Sequence, residues 1–322
     1  MSLSYEFSIG SVRAKENSLF TNSDIEHMQS CNNEKELIHY LNSKGIDGKT
    51  IDEIILDKSA KMWKYLKNIA PDFDIFKPFL LQNDIHNLKV VLKGILSGKD
   101  YENLILSPNT IELSTLKKAV ENNKFSLLPN WLISSAENAY KILAHTGDAK
   151  KSDAVIDKAL MEETIILAKK SGSKFLLEYF NTLFFYSNIK IAIRSSKTET
   201  SRDYLNQALC PLDGFKIQEV INSALKGYEN LLNTLEKFSD YNCDKAIEEY
   251  KNSPSDFEKF IDNKLIKITK ENCKRTSEGA EPLMGYLIAC EREKQIINII
   301  ACSLRTNTDK EVLRERVREI YA

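Results

Sequence analysis

Three short stretches of this chain spell nearly the same helix, about 100 residues apart: QNDIHNLKVVLKG (82–94), FFYSNIKIAIR (184–194) and ACEREKQIINIIA (289–301). In each, one polar position holds Asn87, Asn188 or Glu293. Two residues on stands Lys89, Lys190 or Gln295, and an apolar run follows. The echo extends upstream, where LDKSAKMWKYL starts at Leu56, IDKALMEETIIL at Ile156 and a fainter FEKFIDNKLIKI at Phe257. Asp57-Lys58, Asp157-Lys158 and Glu258-Lys259 thus open equivalent helices. It also extends downstream, where YENLILSPNTIELS from Tyr101 matches YLNQALCPLDGFKI from Tyr204, with Pro108 and Pro211 as stops. A period this long is domain-sized, well beyond the roughly 20–50 residues of solenoid repeats. It predicts three homologous domains, 1–110, 111–212 and 213–322, with the N-terminal helix a candidate to pack on the third. Three such units either stack in a line or close around an axis into a bowl.

The fold class follows from what the chain lacks. Only 7 Pro and 11 Gly interrupt 322 residues, and no stretch shows the alternation of a strand or hairpin. In the first motif Leu88, Val91, Leu92 and Ile95 form an apolar stripe at helical spacing, with Asp84, Asn87, Lys89 and Lys93 on the opposite, polar face. Leu313, Val317, Ile320 and Tyr321 read as the stripe of a last helix, whose arginines and glutamates would pair at i, i+4 in water. Ser23-Asp24, Ser114 and Thr308-Asp309 read as N-caps. The chain is predicted to be all-α.

Several chemistries are excluded on spacing. GILSGKD (94–100) has three residues between its Gly and the Gly-Lys pair, where a phosphate loop needs four, and Asp100 stands where Ser or Thr would hold Mg²⁺. It reads as a helix C-cap and turn. His27, His39, His86 and His145 make no helical metal pair, and the six cysteines show no CxxC spacing, so they read as idle or buried thiols. No nucleophile elbow is present. No cofactor, metal or catalytic residue is assigned. The net charge of −1 offers no field to steer the chain onto nucleic acid or an anionic membrane. The N-terminus lacks the pattern of a signal peptide, and no run reaches the ~18 apolar residues of a membrane span. KRTSEGAEP (274–282) reads as a mobile loop.

The repeated polar positions remain. Asn87, Asn188 and Glu293 suit two roles: buried groups tying each domain together, or groups lining the axis of a bowl and meeting a partner. With Lys89, Lys190 and Gln295 they are the candidate partner-binding residues.

Three features together resemble the C subunit of bacterial and archaeal V/A-type ATPases, the counterpart of the d subunit of the eukaryotic vacuolar enzyme. They are the opening YEFSIGSVRAKENSLFTNSDIEHM with Tyr5, Arg13, Ala14 and Glu16 in order, the NDIHNLKVVLKG motif, and the ending YLIACEREKQIINIIACSLRTNTDKEVLRERVREIY. The resemblance spans essentially the whole chain. It departs at Asn298, where a basic or branched residue is expected, and at Ser303-Leu304-Arg305, where the family pattern has Gly-Lys. The resemblance implies a non-catalytic subunit with three helical domains arranged as a pseudo-threefold funnel, peripheral on the cytoplasmic face of the membrane. Its implied partners are the central-shaft subunits and the membrane proteolipid ring, and the membrane part of the stator is a further candidate. It would couple ATP hydrolysis or synthesis to H⁺ or Na⁺ transport. The competing class is a helical scaffold or adaptor unrelated to a rotary enzyme.

Overall fold

The computed structural model describes residues 4–198 and 200–322. Sixteen α-helices and no strand occur among the described residues, as the sequence predicts. They divide into two compact units, one formed by residues 1–74 and 248–322 and the other by residues 75–247.

The first unit brings the two ends of the chain together. It holds α1 (Tyr5–Glu16), α2 (Asn22–Ser30), α3 (Glu34–Ser43), α4 (Ile51–Ile69), α14 (Pro254–Cys273), α15 (Glu281–Arg305) and α16 (Lys310–Arg316). At 25 residues α15 is the longest helix, and it packs against α1, α3, α4, α14 and α16. Phe20, Met28, Leu37, Leu41 and Ile54 from the N-terminal side close on Ile296, Ile297 and Ile300 of α15. The N-terminal helix therefore docks on the C-terminal part of the chain. Arg13 fixes it by donating to the carbonyls of Cys273 at 2.6 Å and Thr276 at 2.9 Å, the second inside the 274–282 segment.

The second unit holds α5 (Lys77–Ser97), α6 (Leu113–Glu121), α7 (Asn130–Thr146), α8 (Ala149–Lys170), α9 (Lys174–Ser196), α10 (Arg202–Ala208), α11 (Ile217–Leu225) and α12 (Tyr228–Leu235), while α13 (Cys243–Asn252) carries the boundary at 247/248. Leu88, Val91 and Leu92 of α5 meet Leu116, Leu132, Ala136 and Ile156 in one core, as the stripe predicts. Around α9, Phe180, Phe185 and Tyr186 are buried, and the Phe185 ring meets Phe215 edge-to-face at 5.4 Å and a tilted Tyr241 ring at 4.6 Å.

The helix ends correct several details. Thr21, not Ser23 or Asp24, caps α2, in a capping box with Asp24 at its third position. Ser114 lies inside α6, whereas Asp309 does cap α16, accepting from the Glu311 N–H at 2.7 Å. The left-handed cap of α5 is Gly98. Gly94 sits in the interior of α5, where a Cβ would lie 2.0 Å from the Tyr101 ring. The last helix ends at Arg316; Val317, Ile320 and Tyr321 are buried all the same, but on non-helical chain. Arg318 pairs not along a helix but with Asp262 of α14, at 3.0 Å.

Candidate functional site

The repeated polar position does the same physical work three times. In α5 the buried Asn87 amide donates to the carbonyl of Leu106 at 3.0 Å and accepts the Leu106 N–H at 2.8 Å. In α9 the buried Asn188 donates to the carbonyl of Cys210 at 2.8 Å and accepts the Cys210 N–H at 2.9 Å. Each amide replaces the strand or helix partner that this irregular segment lacks, and each segment leads into the next helix group. In α15 Glu293 accepts the N–H of Phe20, at the opposite end of the chain. Phe20 leads into α2 as Leu106 leads into α6 and Cys210 into α11. The third clamp thus holds the start of the chain, as though the repeat were circularly permuted.

A carboxylate cannot donate, so Glu293 gives up the second amide hydrogen bond and takes an ion pair instead. Lys58 Nζ of α4 lies 2.5 Å from Oε2, with the two side chains only 12% and 3% exposed. Burial pushes the Glu293 carboxyl up, while Lys58 and the Phe20 N–H draw it back, and burial prevails. The corresponding link between α5 and α8 is Lys89 with Asp157. Asp57-Lys58 and Asp157-Lys158 are equivalent in sequence, yet α4 uses the lysine of its pair and α8 the aspartate. The sign is reversed because the motif helix carries an acid in one case and a base in the other. Lys93 adds a second rung to Asp153 at 2.7 Å.

The remaining predicted positions lie beside these clamps. Lys190 is half-buried, two residues beyond Asn188. Gln295 is half-buried and donates to Asp262 at 2.7 Å, while accepting from Arg292 at 2.6 Å. Asp262 is a hub that sequence reasoning missed, also pairing with Arg292 at 3.3 Å and Arg318 at 3.0 Å. Asn87 and Asp84, on the polar face of α5, are fully buried, which for Asn87 is the first of the two roles its position suits. Asp84 accepts the N–H groups of Thr110 at 2.7 Å and Ile111 at 3.0 Å and the Thr110 hydroxyl at 2.5 Å; burial nonetheless pushes its carboxyl up. Asn83 holds the Pro108 carbonyl at 2.7 Å, and the His86 Nε2 sits 2.9 Å from the Leu104 carbonyl. The run NDIHN therefore spends four polar side chains on the segment that follows the motif helix. The one available signal was their density within five residues.

No group of three or more His, Cys, Asp or Glu among the described residues could hold a metal ion. Five of the six cysteines are buried, and burial pushes the thiols of Cys210, Cys243 and Cys290 up to about 12, so they are protonated and unreactive at neutral pH. Among the described residues no helix is long and apolar enough to cross a membrane.

An all-α chain whose Asn87, Asn188 and Glu293 hold its own connecting segments is a helical framework. Its family is shown by comparison: the chain belongs to the ATP synthase (C/AC39) subunit family, whose model matches residues 8–316. It is similar to the C subunit of the V-type sodium ATPase of Enterococcus hirae, 21% identical over 275 residues, covering 85% of this chain and 83% of that one. It is also similar to the C subunit of the A-type ATP synthase of Methanobrevibacter smithii, 24% identical over 322 residues, covering 92% and 83%. The C subunit of the V-type ATP synthase of Thermus thermophilus matches over a shorter span, 23% identical over 152 residues, covering 45% and 46%.

Proposed function

We propose that the chain is the non-catalytic central-stalk subunit of a V/A-type rotary ATPase. In this reading it is a socket that joins the rotor shaft to the membrane proteolipid ring, on the cytoplasmic face, and couples ATP hydrolysis or synthesis to H⁺ or Na⁺ transport. The observation that carries the proposal is the family match across residues 8–316. The clamps support it mechanically. A part that transmits torque must not yield at its connections, and Asn87, Asn188 and Glu293 pin each connection to a buried helix.

The three homologous domains, 1–110, 111–212 and 213–322, would each supply one motif helix to a pseudo-threefold funnel. Asn87, Asn188 and Glu293 would serve the partners by fixing the wall. Lys89, Lys190 and Gln295, which keep some exposed surface, would be the members of the set that touch a partner. Polar contacts of this kind set register and association rate without a sticky exposed patch.

Affinity capture of the chain from its native cells in mild detergent tests this. Shaft subunits, ATPase head subunits and a small proteolipid are expected in the captured material. A preparation lacking all of them, under conditions that leave the ATPase intact, would favour the scaffold or adaptor class.

A further inference from the structure

The three motif helices are internal controls for one another, and one of them breaks the pattern. Two residues before the clamp position, one after it and five after it, α5 has Ile85, Leu88 and Leu92, which are 2%, 0% and 1% exposed. At the same places α9 has Tyr186, Ile189 and Ile193, equally buried. In α15 these places hold Glu291, Lys294 and Asn298, and they line an open groove of about 630 Å³ within the unit formed by residues 1–74 and 248–322. A face that is sealed twice is open and polar in the third copy.

The groove is built rather than merely solvated. Lys294 is 14% exposed and is held by Glu291 at 2.8 Å and the Ser59 hydroxyl at 3.3 Å. Arg318 is 8% exposed and held by Asp262 at 3.0 Å. With those two cations matched to carboxylates, the exposed Arg316 is left over, since no acidic side chain among the described residues pairs with it. Ile55 and Ile299 supply an apolar floor. The α15 residues lining the groove run from Glu291 to Ser303, about 18 Å of helix at ~1.5 Å per residue, which suits an extended or helical segment rather than a small ion.

We infer that this groove is a docking site for an acidic segment of a partner protein in the ATPase complex, with a carboxylate on Arg316 and an aliphatic side chain on Ile55 and Ile299. The inference rests on the proposed function. Its warrant is charge complementarity: the chain as a whole is near neutral, at −1, while this groove carries an uncompensated guanidinium, whose planar fork matches a carboxylate.

Cys302 lines the same groove and is exposed, whereas the other five cysteines are buried, so the site carries its own probe. The experiment compares the rate of N-ethylmaleimide modification at Cys302, read by peptide mass spectrometry, in the isolated chain and in the captured complex. At least a tenfold slowing in the complex is expected, and a photo-cross-linker attached at Cys302 before assembly should capture an Asp/Glu-rich peptide from one of the other subunits. Arg316→Glu should return Cys302 in the complex to the isolated-chain rate, and Arg316→Lys should keep most of the protection. An unchanged rate in an assembled complex overturns the inference and leaves the proposed function standing. So does a cross-link to lipid or to a segment without acidic residues, or full protection in the Arg316→Glu complex. If no ATPase component accompanies the chain, the proposed function fails and the groove assignment falls with it.

Discussion

Glu293, in the last long helix, binds both the Lys58 ammonium, 2.5 Å away, and the backbone N–H of Phe20. One carboxylate thereby closes the two ends of the chain onto each other. Breaking such a buried pair leaves an uncompensated charge, so Lys58→Met should cost about 3–5 kcal/mol in urea unfolding. The double variant Lys58→Met/Glu293→Gln should recover much of this, because the amide still accepts from Phe20 and carries no charge. Equal destabilisation in the single and double variants would refute the pairing.

The two asparagine clamps should differ in strength. Asn188 serves Cys210, which is 0% exposed, whereas Asn87 serves Leu106, which is 37% exposed. When the amide is removed, water can reach the Leu106 groups but not those of Cys210. Each orphaned buried group costs about 1–3 kcal/mol. Asn188→Ala should therefore destabilise more than Asn87→Ala, and denaturant midpoints of the two variants give the order directly.

Asp24 supplies a pH dependence. Burial would raise its carboxyl, but Lys44 at 2.5 Å, the Thr21 hydroxyl and N–H, and Tyr40 hold it well below the usual carboxylate range. The unfolded chain, with an aspartate pKa of ~3.9, takes up the proton before the native state does. The contribution is thus complete above that value and is lost as pH falls toward the lowered native one. In thermal melts, wild type should exceed Asp24→Asn by a constant margin from pH 7 down to about 5, and the margin should close below about 4.

Gly94→Ala tests a packing contact against a propensity. In an open helix the change stabilises by about 1 kcal/mol. Here the new methyl would sit 2.0 Å from the Tyr101 ring, so the variant should instead lose about 1–3 kcal/mol through overpacking. Adding Tyr101→Ala should make Gly94→Ala neutral or favourable, as a double-mutant cycle would show.

The repeat was readable because its polar residues recur against apolar ones, and the helices because breakers are scarce. What Asn87 and Asn188 hold was not readable. Their partners lie 19 and 22 residues away on irregular chain, where no periodicity marks a contact. The partner of Glu293 was further out of reach, since it lies 273 residues earlier. Asp84 was legible only as a polar residue opposite an apolar stripe; nothing in that spacing showed that a backbone segment covers it. The ending failed differently. Val317, Ile320 and Tyr321 fit a helical stripe by spacing, but non-helical chain buries them as well.

The joining of residues 1–74 to residues 248–322 has a consequence for how the chain is made. A ribosome releases α1 to α4 well before α15, so those helices wait for the strut they pack on. At ~5–20 residues per second that wait is on the order of 10–50 s. Residues 75–247 are complete before it ends and can settle while the N-terminal apolar faces of Met28, Leu37, Leu41 and Ile54 are still bare. Until α15 arrives these faces stay bare, and a nascent-chain chaperone has its opportunity there.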